Sequence, residues 1–198
     1  MLTGTHNKNE TPEHYELKQI AKLLLWDRGY KHIGTEVGGF HNLDPLLRSF
    51  GCWNHNTIDV IGARTNGWRN GIIPRITLMG MEAKASRADF RNGYCTACEY
   101  TYIIAPIGIV PLEELIPGVG LIEVDLSKYQ IGSWNGIWHK GIETIVKAES
   151  RLASRFESKT ERDKWAIDQF RRIAYRASVE NVFTNARIEI MRKPDGEA

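Results

Sequence analysis

The sequence predicts an α/β fold in which helices flank a mixed central sheet and a helical extension follows at the C-terminus. Three observations predict it: a helical pattern at 12–28, two apolar strand patterns at 57–61 and 76–84, and two further strand patterns at 100–105 and 119–124. At 198 residues the chain is long enough to bury a core within one domain.

The first predicted element is a helix that begins after Thr11. Thr11 offers an N-cap hydroxyl, Pro12 suits the first helical position, and Glu13 places an acid in the first turn. Gly29 ends the run. Between them, apolar residues recur at helical spacing: Leu17, Ile20, Ala21 and Leu24.

Two strand patterns after this helix each contain one acidic residue near an apolar stretch. Residues 30–37 predict a strand with Glu36 near its end. Residues 57–61 predict a second strand, in which Asp59 stands between Ile58 and Val60. An acid inside so short an apolar strand is a candidate functional group.

The pattern at 76–84 is the segment around which the rest is organised. It is apolar until Glu82-Ala83-Lys84. Because side chains alternate along a strand, Glu82 and Lys84 are expected on one face, and Asp59 on a neighbouring strand can add a second carboxylate. Two converging carboxylates suit Mg²⁺, and a lysine beside them can bind a phosphate or help activate the attacking water. The alternative is an exposed Glu–Lys pair worth a fraction of a kcal/mol.

These residues resemble the signature of the PD-(D/E)XK nuclease superfamily, whose fold is the restriction-endonuclease-like one. The run E-A-K-A-S-R-A-D-F over residues 82–90 is most similar to MmcB-like DNA-repair nucleases, in which a helix, a strand ending in Ala-Pro and a Gly-Leu-Ile strand follow. The resemblance covers residues 12–126, with Ala105-Pro106 and Gly120-Leu121-Ile122 at the expected places. It departs from the pattern at Ile58, where the family has proline, and in the long loop between the two motif strands.

The resemblance implies a metal-dependent endonuclease that hydrolyses DNA phosphodiester bonds in DNA repair. Asp59 and Glu82 are then expected to bind Mg²⁺ or Mn²⁺, with Lys84 positioning water and neutralising charge on the phosphate. Glu36 is expected to assist as an auxiliary ligand or base, ahead of Glu16 in the first helix. The alternative is a non-catalytic nucleic-acid-binding or assembly protein that retains the nuclease fold.

Four residues are candidates for contacts with the DNA backbone. Arg64 and Arg69 lie in a Gly- and Asn-rich segment, predicted to be a hairpin loop, between the two motif strands. Ser86 and Arg87 follow Lys84 at the strand exit, where a hydroxyl and a guanidinium can both contact phosphate. An ordinary solvent-exposed loop remains the alternative for the first pair.

The distribution of charge agrees with a phosphate-binding side, although the net charge is only +2. Residues 63–91 contain six Lys or Arg and two Asp or Glu, whereas residues 92–127 contain five acids and no Lys or Arg. Positive charge therefore flanks the candidate site and returns at 147–176. A solvated helix with mixed charge is an equal interpretation of that last block.

A helix is also predicted over residues 89–99, and it contains a C-x-x-C motif. Cys95 and Cys98, with Cys52 elsewhere, are too few for a four-cysteine cluster. A zinc site of three cysteines and one histidine stays open, but buried helical cysteines are favoured. An odd number of cysteines favours a reducing compartment, so a cytoplasmic setting is expected.

The domain prediction is a nuclease core at 1–130 and a helical extension at 131–198 packed on it. The spacing of Ile142, Ile145 and Val146 predicts helix, and residues 187–193 predict one more strand. The extension is a candidate homodimer surface. No apolar run approaches the length of a membrane helix, so no membrane association is expected.

Overall fold

The computed structural model describes residues 10–38, 57–69, 73–96, 98–133, 144–150, 163, 166–173 and 188–192. At 66–69, 73–75, 129–133 and 188–192 the backbone alone is described. In this part of the chain no helix is long and apolar enough to cross a membrane.

The first helix, α1, spans Pro12–Asp27, as predicted. The Thr11 side chain accepts a hydrogen bond from the backbone amide of His14 and so caps the helix. Gly29, with φ of 84°, makes the left-handed turn that ends it. The apolar side of α1 packs on the sheet.

The central sheet has six strands in the order β1-β2-β3-β4-β5-β7. The strands β1 to β5 span His32–Gly38, Thr57–Arg69, Ile73–Ala83, Tyr100–Pro106 and Gly120–Val124, and β7 spans Thr144–Ala148. The β3–β4 and β4–β5 pairs are parallel and the others are antiparallel, so the sheet is mixed. The predicted α/β class with a mixed sheet is therefore confirmed.

Helices cover both faces of this sheet. On one face, α1 packs against apolar side chains of β2 and β3, including Val60, Met81 and Ala83. On the other face, a helical segment at 166–173, here α3, contributes Ala166 and Ile173 to a second core cluster. The two faces are thus buried separately, as in other α/β layers.

Three predictions about local structure are wrong. The long hairpin loop is mostly strand, because β2 continues to Arg69 and β3 begins at Ile73. The helix predicted at 89–99 is only Arg87–Arg91, here α2, since Gly93 follows with φ of 96°. The segment 144–148, predicted as helix, is the edge strand β7.

The described part of the C-terminal region is therefore only partly helical. Besides β7 and α3, it contains β8, Ile188–Arg192, which pairs with β6, Tyr129–Ser133, in a separate two-stranded sheet. The strand predicted at 187–193 is confirmed. Since β7 belongs to the central sheet, the core extends beyond the predicted boundary at residue 130.

Candidate active site

Three neighbouring strands place one acidic residue each at the same level of the sheet. Val60 pairs with Met81, which leaves Asp59 level with Glu82. Glu36 is level with Asp59, because the residues on either side are paired, Thr35 with Val60 and Val37 with Ile58. The register thus forms a row of Glu36, Asp59 and Glu82 across β1, β2 and β3.

Strand geometry is irregular at this level. Glu36 has φ of 49°, a left-handed conformation that costs a non-glycine residue on the order of 1–3 kcal/mol. In β2, Ile58 and Ile61 belong to one core cluster, although residues three apart on a regular strand face opposite sides. The irregularity brings the Asp59 carboxylate to the α1 side, where it contacts His14.

Asp59 is held by two neighbours. Its Oδ2 accepts a hydrogen bond from the backbone amide of Ala83 at 2.9 Å and lies 3.5 Å from His14 Nε2. Burial alone would raise the pKa of Asp59, but the hydrogen bond and charge of His14, with the charge of Lys84, hold this pKa below its usual value. The Asp59 carboxylate is therefore ionised and lies beside the residue that follows Glu82.

His14 in turn lies between two carboxylates. Its Nδ1 is 2.8 Å from Glu10 Oε1, while its Nε2 faces Asp59. Burial alone would lower the pKa of His14, but the hydrogen bonds to Asp59 and Glu10 raise it to about 9. At neutral pH this histidine is therefore an imidazolium that neutralises part of the acidic row.

Lys18 lies one turn further along α1 and pairs with Glu10, which it shares with His14, and with Glu36. Its Nζ is 2.8 Å from Glu10 Oε1 and also contacts Glu36 Oε1. The Lys18 side chain is 7% exposed, whereas that of Glu36 is 40% exposed. The ion pair with the buried Lys18 thus links Glu36, whose backbone conformation is disfavoured, to α1.

Glu82 and Lys84 are buried together. They are 2% and 3% exposed, so the alternative of an exposed surface pair is excluded. Lys84 Nζ lies 4.0 Å from Glu82 Oε2 and 3.6 Å from Asp89 Oδ1. The lysine ammonium thus lies near both carboxylates; alternation along the strand predicted its position beside Glu82 but not beside Asp89.

The surroundings of Glu82 disfavour its ionised form. Burial raises the pKa of Glu82 well above its usual value, and the charge of Asp59 raises it further, whereas the Lys84 charge and the Cys95 backbone oppose the shift. One of its oxygens, Oε1, is buried and has no hydrogen-bond partner in the described part of the chain. Such a group is typical of functional sites rather than of stabilising ion pairs.

The Glu82 shift predicts a pH-dependent gain in stability for Glu82→Gln. The folded protein holds the Glu82 proton more tightly than the unfolded chain, so stability falls as pH rises from about 4.5, the usual range of a glutamate, towards the raised pKa. Glutamine cannot lose a proton and avoids this loss. We expect equal urea midpoints at pH 4 and a higher midpoint for Glu82→Gln at pH 8, both without metal ions. Equal midpoints at both pH values would contradict the raised pKa of Glu82.

The candidate phosphate contacts differ in where they lie. Ser86 caps α2 through its hydroxyl, which accepts from the Asp89 amide at 3.1 Å, and Arg87 pairs with Glu114. In the chain, one residue, Ala85, separates the two from Lys84. Arg87 is thus engaged by an acid in this structure.

Arg64 lies elsewhere, within strand β2. It stands five positions after Asp59, about 17 Å along a strand. Its guanidinium lies 5.1 Å from the centre of the Tyr30 ring and donates to the Arg28 carbonyl at 3.5 Å. The side chain of Arg69 is outside the described residues. The structure therefore places Arg64 apart from the acidic row.

Sequence reasoning missed the contribution of α1. His14 and Lys18 are spaced four apart on one side of α1, and Glu10, four residues before His14, precedes the helix and contacts both. The available signal was this run of polar residues beside the apolar residues of the helix. The acids Glu16 and Glu36 were considered as candidates, whereas no role was predicted for His14 or Lys18.

Cys95 and Cys98 are buried free cysteines on the loop after α2. Both belong to the core cluster on the face opposite α1, and the Sγ of Cys98 lies 3.1 Å from where a Cβ at Gly80 would stand. Cys52 is outside the described residues. The pair therefore packs in the core, as expected for buried cysteines.

The resemblance implies a divalent cation, and the oxygen donors can be tested against it. Glu82 Oε1 lacks a partner, and both contacts of Asp59 use Oδ2, which leaves its Oδ1 available. Within the described residues no group of three or more His, Cys, Asp or Glu is arranged to hold a metal ion. Mg²⁺ usually takes only one or two carboxylates and keeps several waters, so the free oxygens of Asp59 and Glu82 are of the type that it binds.

Comparison with known proteins gives little more. No family model and no curated protein matches the chain. Among solved structures, a protein of unknown function from Silicibacter pomeroyi is similar, with 16% identity and a TM-score of 0.48. The alignment covers 89% of this chain and 96% of that one.

Proposed function

We propose that this protein is a metal-dependent nuclease that hydrolyses DNA phosphodiester bonds and has a restriction-endonuclease-like fold. One observation carries the proposal: a buried carboxylate, Glu82, has an unpartnered oxygen, lies 4.0 Å from the buried Lys84 ammonium, and is close enough to Asp59 for the charge of Asp59 to act on it. Burying such groups without full pairing costs stability, so their retention favours a chemical role. The proposed setting is the cytoplasm, with DNA as the partner.

Each residue has a distinct task in this proposal. Asp59 and Glu82 would hold Mg²⁺ or Mn²⁺, which supplies Lewis-acid stabilisation of the phosphate. Lys84, fixed by Glu82 and Asp89, presents its ammonium to the scissile phosphate and stabilises the charge that develops there. Ala83 orients Asp59 through its backbone amide. Glu36, partly exposed beside Asp59, is placed to orient the attacking water.

A second candidate function is nucleic-acid binding without catalysis. One observation favours it: Asp59 is already satisfied by His14 and the Ala83 amide, so the row holds together without a metal ion. The two functions differ in what a divalent cation does. Catalysis requires it, whereas binding through Arg87 and other cations does not.

The test is cleavage of a panel of linear, circular, branched and single-stranded DNAs with Mg²⁺, Mn²⁺ or EDTA. We expect at least one substrate to be cut with Mg²⁺ or Mn²⁺ and none with EDTA. Glu82→Gln, which preserves shape, is the matched inactive control. Binding of these DNAs without cleavage under any metal condition would favour the second function.

Arg87 offers a test of the phosphate-binding side. Glu114 holds the Arg87 guanidinium in an exposed ion pair, so Glu114→Gln should free it for a DNA phosphate. We expect tighter DNA binding and a plot of log affinity against log salt that is steeper by about 0.9, the contribution of one further phosphate contact.

Glu113→Gln is the control for this measurement, because it makes the same charge change at the neighbouring exposed position. If both variants steepen the salt dependence equally, net charge explains the effect and Arg87 is not a specific contact.

A further inference from the structure

Lys18 is a buried cation enclosed by acids. Its side chain is 7% exposed, it lies 2.8 Å from Glu10 Oε1, and it contacts Glu36 Oε1. Its charge also acts on Asp59, whose negative form it favours. A single ammonium from α1 therefore touches or influences three carboxylates at one end of the sheet.

Glu36 shows that this contact fixes a geometry. A glutamate with φ of 49° occupies a conformation that the backbone itself disfavours, so the surroundings must hold it. Among the described residues, Lys18 is the one that binds its carboxylate. The pairing thus positions Glu36 beside Asp59 rather than merely covering a surface charge.

The buried Lys18 ammonium also affects the binding of other cations at this site. The attraction that stabilises the Asp59 carboxylate acts as repulsion on any other positive ion placed there, because both follow the same Coulomb law. Screening by water is weak at this site, since Lys18 is almost fully buried. The lysine should therefore weaken cation binding while it keeps the acids assembled.

We propose that Lys18 is a positioning residue that fixes Glu36 and, as a built-in counter-cation, lowers the affinity of the acidic row for a divalent metal ion. The inference rests on the proposed function, because it concerns the same metal site. It goes further in assigning to α1 the control of metal occupancy. Lys18 itself touches no reacting atom.

The test is Mn²⁺ binding measured by calorimetry on the full chain, without DNA. Lys18→Met removes the charge and keeps the length, so we expect affinity to rise about tenfold or more. Glu36→Gln leaves the Lys18 charge with one fewer acid beside it, so affinity should fall. The double variant removes one positive and one negative charge together, so its affinity should lie within about threefold of the parent.

Three controls separate this role from a structural one. Lys18→Arg keeps the charge and should bind Mn²⁺ like the parent. Lys31→Met, at an exposed position between α1 and β1, changes net charge equally and should have no effect. Glu13→Gln is the corresponding control for Glu36→Gln.

Weaker or unchanged binding by Lys18→Met would overturn the inference, since loss of a purely structural contact cannot tighten a site. Should Lys18→Met fail to fold, Glu36→Gln decides, and parental affinity in that variant would overturn the inference. If the parent itself binds no Mn²⁺, the proposed function fails and the inference fails with it. Failure of the inference alone is recognised by a parent that binds Mn²⁺.

Discussion

Lys84→Met is expected to reduce DNA cleavage by about 10²–10³-fold at saturating metal, the usual effect of removing one preorganised electrostatic contact. Lys84 is 3% exposed and lies between Glu82 and Asp89, so its ammonium is held in place before substrate arrives. Methionine fills the same space without the charge. The rate should be measured in single-turnover reactions, which separate chemistry from product release.

Mn²⁺ binding distinguishes this effect from damage to the site. Both metal-binding carboxylates remain in Lys84→Met, so calorimetric binding of Mn²⁺ should survive. Because Lys84 is buried, the fold of the variant must be checked by thermal unfolding. Parental cleavage rates in a folded Lys84→Met would remove this residue from the proposed chemistry.

Asp59→Asn is expected to abolish both cleavage and Mn²⁺ binding. Asparagine keeps an oxygen that can accept from the Ala83 amide, so the local backbone should hold. It removes one of the two carboxylates on which an Mg²⁺-type site depends. We expect a loss of activity of about 10³-fold or more, since metal stabilisation of the phosphate is lost as a whole.

His14 supplies an independent readout for the same variant. The hydrogen bond and charge of Asp59 raise the pKa of His14 to about 9, so removing that charge should lower it. An NMR titration of the imidazole measures this directly, with Glu13→Gln as a control that leaves both partners of His14 in place. An unchanged His14 pKa in Asp59→Asn would contradict the contact between the two residues.

Local signals predicted the elements in which sequence and structure agree. Thr11, Pro12 and Gly29 define the ends of α1 through capping, a fixed φ and a left-handed turn, and each effect acts within a few residues. Alternation along β3 correctly predicted that Glu82 and Lys84 lie together. Such features need no knowledge of distant parts of the chain.

The wrong predictions of secondary structure lie where pairing between distant segments of the chain decides the structure. Ile145 and Val146 are adjacent and both exposed, so β7 lacks the alternation of a half-buried strand, and only its pairing with β5 makes it a strand. The hairpin of β2 and β3 likewise extends through residues whose Gly and Asn content favours a loop. Tertiary context overrides local preference in both places.

For the same reason, only part of the candidate site could be predicted from the sequence. Asp59 and Glu82 were found because each stands in or at the end of an apolar strand, and Glu36 because the family resemblance implies a glutamate at this point. His14 and Lys18 contact them only after α1 packs across the sheet, and no spacing in the sequence links them to residues 36 and 59. The positive φ of Glu36 and the break in alternation within β2 have no signal in the sequence.

The most direct test of the proposed nuclease is one experiment on parent and Glu82→Gln protein: cleavage of the DNA panel, with and without Mg²⁺ or Mn²⁺, together with Mn²⁺ calorimetry on the same samples. We expect the parent to bind Mn²⁺ and to cleave DNA only with a divalent cation. Glu82→Gln, folded and more stable at pH 8, should do neither. Equal cleavage by the two proteins, or a parent that neither binds Mn²⁺ nor cuts any DNA, would contradict the proposal.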